Sequence, residues 1–167
     1  MREDQREGRP TIVMKMSARL SPCETYRYEL HRTWDSSLGR VLFIGLNPST
    51  ADHTRDDHTS RVCINYATRW GYGGLVIANL FAYRSTDPRG LKNTPAPIGP
   101  DNNRVLKKLC KKADMVICAW SDMGAYLDRD REVLPLIKEP HCLTLLKSGR
   151  PGHPLYKSRT LIPKPMR

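Results

Sequence analysis

The chain has 167 residues, 39% of them hydrophobic, enough for one domain with its own core. No window is long and apolar enough to span a membrane, and the charged start (Arg2, Glu3, Asp4, Arg6, Glu7) lacks the apolar stretch of a signal peptide, so a cytoplasmic protein is expected. The formal net charge of +11 points to a polyanionic partner, because excess Lys and Arg attract phosphates.

Residues 1–20 read as a flexible segment and 161–167 as a basic tail, with one domain over 21–160. Tyr26 to Trp34 alternates, with Tyr26, Tyr28, Leu30 and Arg32 on one face and Arg27, Glu29, His31 and Thr33 on the other, as in a half-exposed strand. Asp35–Gly39 is a turn. Val41 to Ile44 is a continuous apolar run, the mark of a strand covered on both faces. It stops at Gly45-Leu46-Asn47-Pro48-Ser49, where glycine allows a tight turn or a close approach and proline ends strand pairing.

Asp57 to Trp70 has helical spacing, with Thr59 or Asp57 as cap. Leu75 to Tyr83 is a second buried strand. Arg84 to Pro100 is a long Pro- and Gly-rich loop, and loops of that length are often functional. Asp101 to Lys112 is a basic helix with Val105, Leu106 and Leu109 inward. Met115 to Trp120 is a third apolar strand. Tyr126 to Lys138 is a helix broken near Pro135, His141 to Leu146 a fourth strand, and Lys147 to Tyr156 a basic loop. From Lys147 to Arg167 there are six basic residues and no acidic one.

Strands alternating with helices predict a mostly parallel four-stranded sheet with helices on both faces, a three-layer α/β/α sandwich, plus an N-terminal antiparallel strand. In such a sheet ligands bind at the carboxyl edge. The polar strand ends converge there: Gly45 to Asp52, Asn79 with Tyr83 and Arg84, Ser121, and Lys147-Ser148-Gly149-Arg150 running to His153. The five cysteines are scattered without a Cys-x-x-Cys pair, and Arg55 sits inside the cluster Asp52 to His58. Neither a metal nor another cofactor is expected.

Gly45-Leu46-Asn47-Pro48, the strand Val76 to Asn79, the run Met115 to Ala125 and His153-Pro154 resemble the ordered motifs of the uracil-DNA glycosylase superfamily. The chain over about residues 24 to 160 also resembles the DUF1643 family. The first resemblance implies a domain that binds DNA, extrudes a base and cleaves its N-glycosidic bond. Asn47 then orients the attacking water, Asn79 reads the base with a donor and an acceptor, and His153 donates to the leaving base. Gly45, Leu46, Pro48, Ser49 and Tyr83 line the base site. Arg84, Ser121, Lys147, Ser148, Gly149, Arg150 and Lys157 follow the phosphate backbone of the expected partner, DNA.

An amide orients water but cannot take its proton, which makes a slow, geometry-driven catalyst; a carboxylate, Asp52, Asp56 or Asp57, is the alternative source of a general base. Thr50 to Ser60 contains no Phe, Tyr or Trp, which leaves Tyr66, Trp70 or Tyr83 to stack on the base. These departures favour an uncommon or modified pyrimidine over ordinary uracil. Two alternatives stay open: a noncatalytic nucleic-acid-binding module and an enzyme of modified-nucleotide metabolism.

Overall fold

The computed structural model describes residues 13–166. The strands are β1 (Lys15–Leu20), β2 (Arg27–Thr33), β3 (Arg40–Gly45), β4 (Gly74–Asn79), β5 (Met115–Cys118), β6 (Pro140–Cys142) and β7 (Lys164–Pro165). The α-helices are α1 (His58–Arg69), α2 (Asn102–Lys112) and α3 (Arg129–Val133), with 3-10 turns at Pro88–Asn93, Asp122–Asp128 and Leu134–Leu136. One sheet holds all the strands in the order β1-β2-β4-β3-β5-β6-β7. Its centre, β4-β3-β5-β6, is parallel, while β1 and β2 on one flank and β7 on the other run antiparallel.

The parallel centre forms because its strands are apolar on both faces. In β3, Val41 and Phe43 pack with Cys63, Tyr66 and Ala67 of α1. Leu42 and Ile44 pack on the opposite face with Val105, Leu106 and Leu109 of α2. Asp57 caps α1 with a capping box shared with Ser60. The chain steps from β3 through α1 to β4, then crosses back through α2 to β5 on the far side of β3. The loops after β3 and β5 therefore part at a topological switch point. Among the described residues no helix is long and apolar enough to cross a membrane.

With seven strands the sheet is wider than the four central strands and one N-terminal antiparallel strand expected. β1 and β7 lie in the segments read as a flexible start and a basic tail, although residues 1–12 lie outside the described residues. The helix expected over 126–138 is a 3-10 turn, a short α3 and a second 3-10 turn ending before Ile137. β2 also departs from its expected regular alternation. Arg19 pairs with Glu29 but Leu20 pairs with Arg27, so Tyr28 is an extra residue in a β-bulge. Tyr28 consequently joins the core on the α2 face, while Leu30 joins the core on the α1 face. The bulge also brings Arg27 to the α1 side, together with Arg32.

Arg32 is completely buried. Its Nε donates to Asp56 at 2.8 Å, one terminal nitrogen to the carbonyls of Asp52 (2.6 Å) and Arg55 (3.1 Å), and the other to His31 (2.9 Å) and Ser17 (3.5 Å). One side chain thus pins the loop between β3 and α1 onto β2. Truncating one partner of such a buried charged network leaves the others unpaired. Arg32→Met is expected to lower stability by about 3 kcal/mol, read as a lower urea midpoint with an unchanged slope.

Candidate functional site

The carboxyl ends of β3, β4 and β5 open on one cavity of about 140 Å³. The turn after β3 supplies Gly45 through Ser49, β4 supplies Asn79, and Ala119 and Ser121 follow β5. The start of α1 adds Asp57, Thr59 and Ser60, β2 adds Arg27, and the late loop adds His153 and Pro154.

Asn79 is 3% exposed, and its Nδ2 is buried without a hydrogen-bond partner among the described residues. Its sheet partner is Gly45. A Cβ at Gly45 would stand 2.9 Å from Asn79 Oδ1, so the missing side chain makes room for this carboxamide. The backbone after β4 is held by Asn102, whose Nδ2 donates to the carbonyls of Asn79 (2.9 Å) and Leu80 (3.0 Å).

Asn47 is anchored through its nitrogen, which donates to the carbonyls of Ser85 (2.8 Å) and Pro48 (3.2 Å). Its amide oxygen is the end left for a ligand. Asp57 accepts from the Ser60 N–H (2.8 Å) and the Ser49 hydroxyl (2.8 Å). Partial burial opposes its charge, but these hydrogen bonds and the positive charge of Arg27 outweigh it and hold its pKa below the ordinary value.

Arg27 is 3% exposed. One terminal nitrogen donates to the Ala51 carbonyl at 2.9 Å, while Nε is buried without a partner among the described residues. Burial brings its pKa down to about 10, against the pull of Asp57, so it remains a cation at neutral pH.

His153 sits on the rim. Its Nδ1 accepts the Leu155 N–H at 3.1 Å, so the proton of the neutral ring is on Nε2. Partial removal from water, then the charge of Lys157, lowers its pKa from 6.5. Ser121, at a φ of 61°, is held by its N–H to the Pro151 carbonyl (2.8 Å). The cavity therefore combines a buried cation, a neutral imidazole donor, two carboxamides and one hydrogen-bonded carboxylate. Among the described residues no group of three His, Cys, Asp or Glu side chains is arranged to hold a metal.

A family model described as a protein of unknown function, DUF1643, matches residues 27–155. The chain belongs to the DUF1643 family. The matched span begins at Arg27 and runs past Pro154, so every wall of the cavity lies inside the DUF1643 domain. No curated protein and no solved structure matches the chain.

The DUF1643 cavity brings together Gly45, Leu46, Asn47, Pro48, Ser49, Asn79, Ser121 and His153 from the sequence reading. The other candidates lie elsewhere. The Asp52 carboxylate closes a turn by accepting from Thr54 and Arg55, and it shares an outer depression with Arg84. Of the three carboxylates considered as general base, Asp57 is the one in the cavity. Tyr83 packs edge-on against Tyr26, and Arg84 donates to the Glu24 carbonyl at 3.3 Å.

In the late loop, Ser148 bonds the Asp122 carboxylate, Arg150 pairs with Asp130 at 2.8 Å, and Gly149 makes the turn at a φ of 83°. Those three shape the loop, Lys147 is exposed, and Lys157 lines a neighbouring hollow. Arg27, Thr59 and Ser60 are cavity residues that the sequence reading did not nominate. The capping box around Asp57 is the signal that points to Ser60; Arg27 has none, because its place depends on the bulge.

Gly45→Ala is expected to swing the Asn79 carboxamide away while costing about 1 kcal/mol of stability. The check is a shift of the Asn79 side-chain amide resonances in a protein that still unfolds cooperatively. The His153 ring is expected to titrate below 6.5, with Lys157→Gln raising its midpoint in an NMR titration. Because the folded chain binds this proton less readily than the unfolded chain, His153 lowers stability as pH falls through 6.5 toward the folded pKa.

Proposed function

We propose that the domain is a DNA-binding, base-processing protein of the uracil-DNA glycosylase type, cleaving the N-glycosidic bond of an uncommon or modified pyrimidine. The observation that carries this reading is Asn79, a buried carboxamide with an unpartnered nitrogen in the wall of a small cavity. An unmade buried hydrogen bond is costly, and a ligand that supplies an acceptor removes the cost. A cavity of about 140 Å³ is well below the roughly 300 Å³ where drug-sized sites begin. It suits a single ring and weighs against a whole free nucleotide.

On this reading a flipped base enters the cavity and meets Asn79 with its hydrogen-bonding edge. As the bond from the base to the sugar breaks, the electron pair leaves with the base. Arg27 and the Nε2–H of His153 stabilise the negative charge that develops there. The sugar becomes cationic, and the ionised Asp57 offers a compensating charge nearby. Asn47 orients water through its amide oxygen, the water adds to the sugar carbon and loses a proton to solvent, and the departed base anion takes up a proton from solvent. Lys147 and Lys157 attract the phosphate backbone.

One observation favours the second reading, a noncatalytic nucleic-acid-binding module. Both Asp57 oxygens already accept, from Ser49 and Ser60, and with its pKa held below the ordinary value it is a weak general base.

The test is base release from single- and double-stranded DNA carrying uracil, mismatched thymine, or hydroxymethylated or glucosylated pyrimidines. Free base is followed by mass spectrometry and abasic sites by alkaline cleavage. Wild type is expected to release one of these bases, with Asn47→Ala slower by about a hundredfold. No release from any substrate, with DNA binding retained, would overturn the glycosylase and favour the binding module.

A further inference from the structure

Next to the cavity, on the other side of Pro154, lies a second hollow of about 300 Å³. Tyr66 forms part of its floor, and His58, Asn65, Tyr156, Lys157 and Arg159 stand around it. Tyr156 is 95% exposed. Its backbone is held at a φ of 59°, a region unfavourable for a residue with a Cβ. The ring stacks on His58 with centroids 6.3 Å apart and planes 26° apart. A large aromatic ring is thus presented to solvent by a strained backbone, braced by the first residue of α1. Among the described residues no acidic side chain lines the hollow, whereas two cations do.

The aromatic residues that the sequence suggested for stacking are already engaged. Tyr66 and Trp70 stack on each other at 5.4 Å and donate to the carbonyls of Ser158 and Leu161. Tyr83 packs against Tyr26. The exposed ring of Tyr156 is committed to none of these internal contacts.

We propose that this hollow binds single-stranded DNA, with one unstacked base resting on the Tyr156–His58 pair and the flanking phosphates on Lys157 and Arg159. A flat aromatic face with cations at its edge matches a base and its backbone. A duplex keeps its bases stacked inside and offers such a platform nothing to hold. The hollow adjoins the cavity through Pro154, so a strand lying across both seats neighbouring nucleotides in the two sites. This inference rests on the reading of the cavity as a nucleic-acid site, and it names the form of the substrate.

The experiment is a fluorescence titration with a short single-stranded DNA of ordinary bases containing one 2-aminopurine. Wild type is expected to bind it and quench its emission, and to bind the matching duplex more weakly. Tyr156→Ala weakens binding about tenfold and removes the quenching, while Tyr156→Phe keeps both. Lys157→Gln or Arg159→Gln lowers the slope of log K against log salt by about 0.7 each, a change that Tyr156→Ala does not produce. At 95% exposure the tyrosine contributes little to folding, so matched thermal melts confirm that its variants are intact.

Unchanged affinity and quenching in Tyr156→Ala would overturn the proposal. So would displacement by polyglutamate as effective as by DNA, which would assign the hollow to an acidic protein. Failure of base release with this binding intact removes the glycosylase and leaves the platform. Base release with wild-type binding by Tyr156→Ala does the reverse.

Discussion

Two buried arginines on one strand hold the site together. The bulge at Tyr28 turns Arg27 and Arg32 toward the same face, under the loop that joins β3 to α1. That loop carries Asn47, Ser49 and Asp57 but has few apolar side chains with which to pack itself. Arg32 and Arg27 take up its carbonyls at Ala51, Asp52 and Arg55, groups that would otherwise face a protein interior unpaired. Burying a guanidinium is unfavourable unless its donors are matched. Arg32 meets that condition with five hydrogen bonds. Arg27 does not, since its Nε has no partner. The same strand therefore provides one arginine matched for structure and one that lines the cavity with a donor unmatched among the described residues.

A similar division runs through the polar residues of the sheet edge. Asn47 and Asn102 use their amide nitrogens to tie loops together, whereas the nitrogen of Asn79 is left without a partner. The positive charge is divided in the same way. Arg150, Arg129 and Arg104 pair with Asp130, Glu132 and Asp101. Lys157 and Arg159 border the hollow beside the cavity, where no carboxylate among the described residues lines the wall with them. The net charge of the chain understates how unevenly its cations are disposed.

The buried strands were legible because a parallel strand covered on both faces must be apolar at successive positions, as Val41 to Ile44 and Leu75 to Ala78 are. The turn at Gly45 to Ser49 was legible because glycine and proline restrict the backbone locally, and the start of α1 because a cap bonds within its own turn. These are short-range effects, written in adjacent residues. The convergence of Asn47, Asn79, Ser121 and His153 followed from them, since parallel strands deliver their carboxyl ends to one edge.

β1 was hidden because its residues alternate between exposed and half-buried and carry no apolar run. β7 is two residues long and includes a proline. Without β1, β2 reads as a half-exposed strand, and its charged residues read as solvent-facing; with β1 paired to it, six of its seven residues are buried. The sequence by itself determined the parallel centre, the polar strand ends and the capped helix. Only the tertiary structure decided that Arg27 lines the cavity, that of Asp52, Asp56 and Asp57 it is Asp57 that lies there, and that Tyr156 stands against His58. The physical reason is that a bulge, a buried charge and a stacked pair are each set by a partner distant in the chain, and no local pattern of residues records that partner.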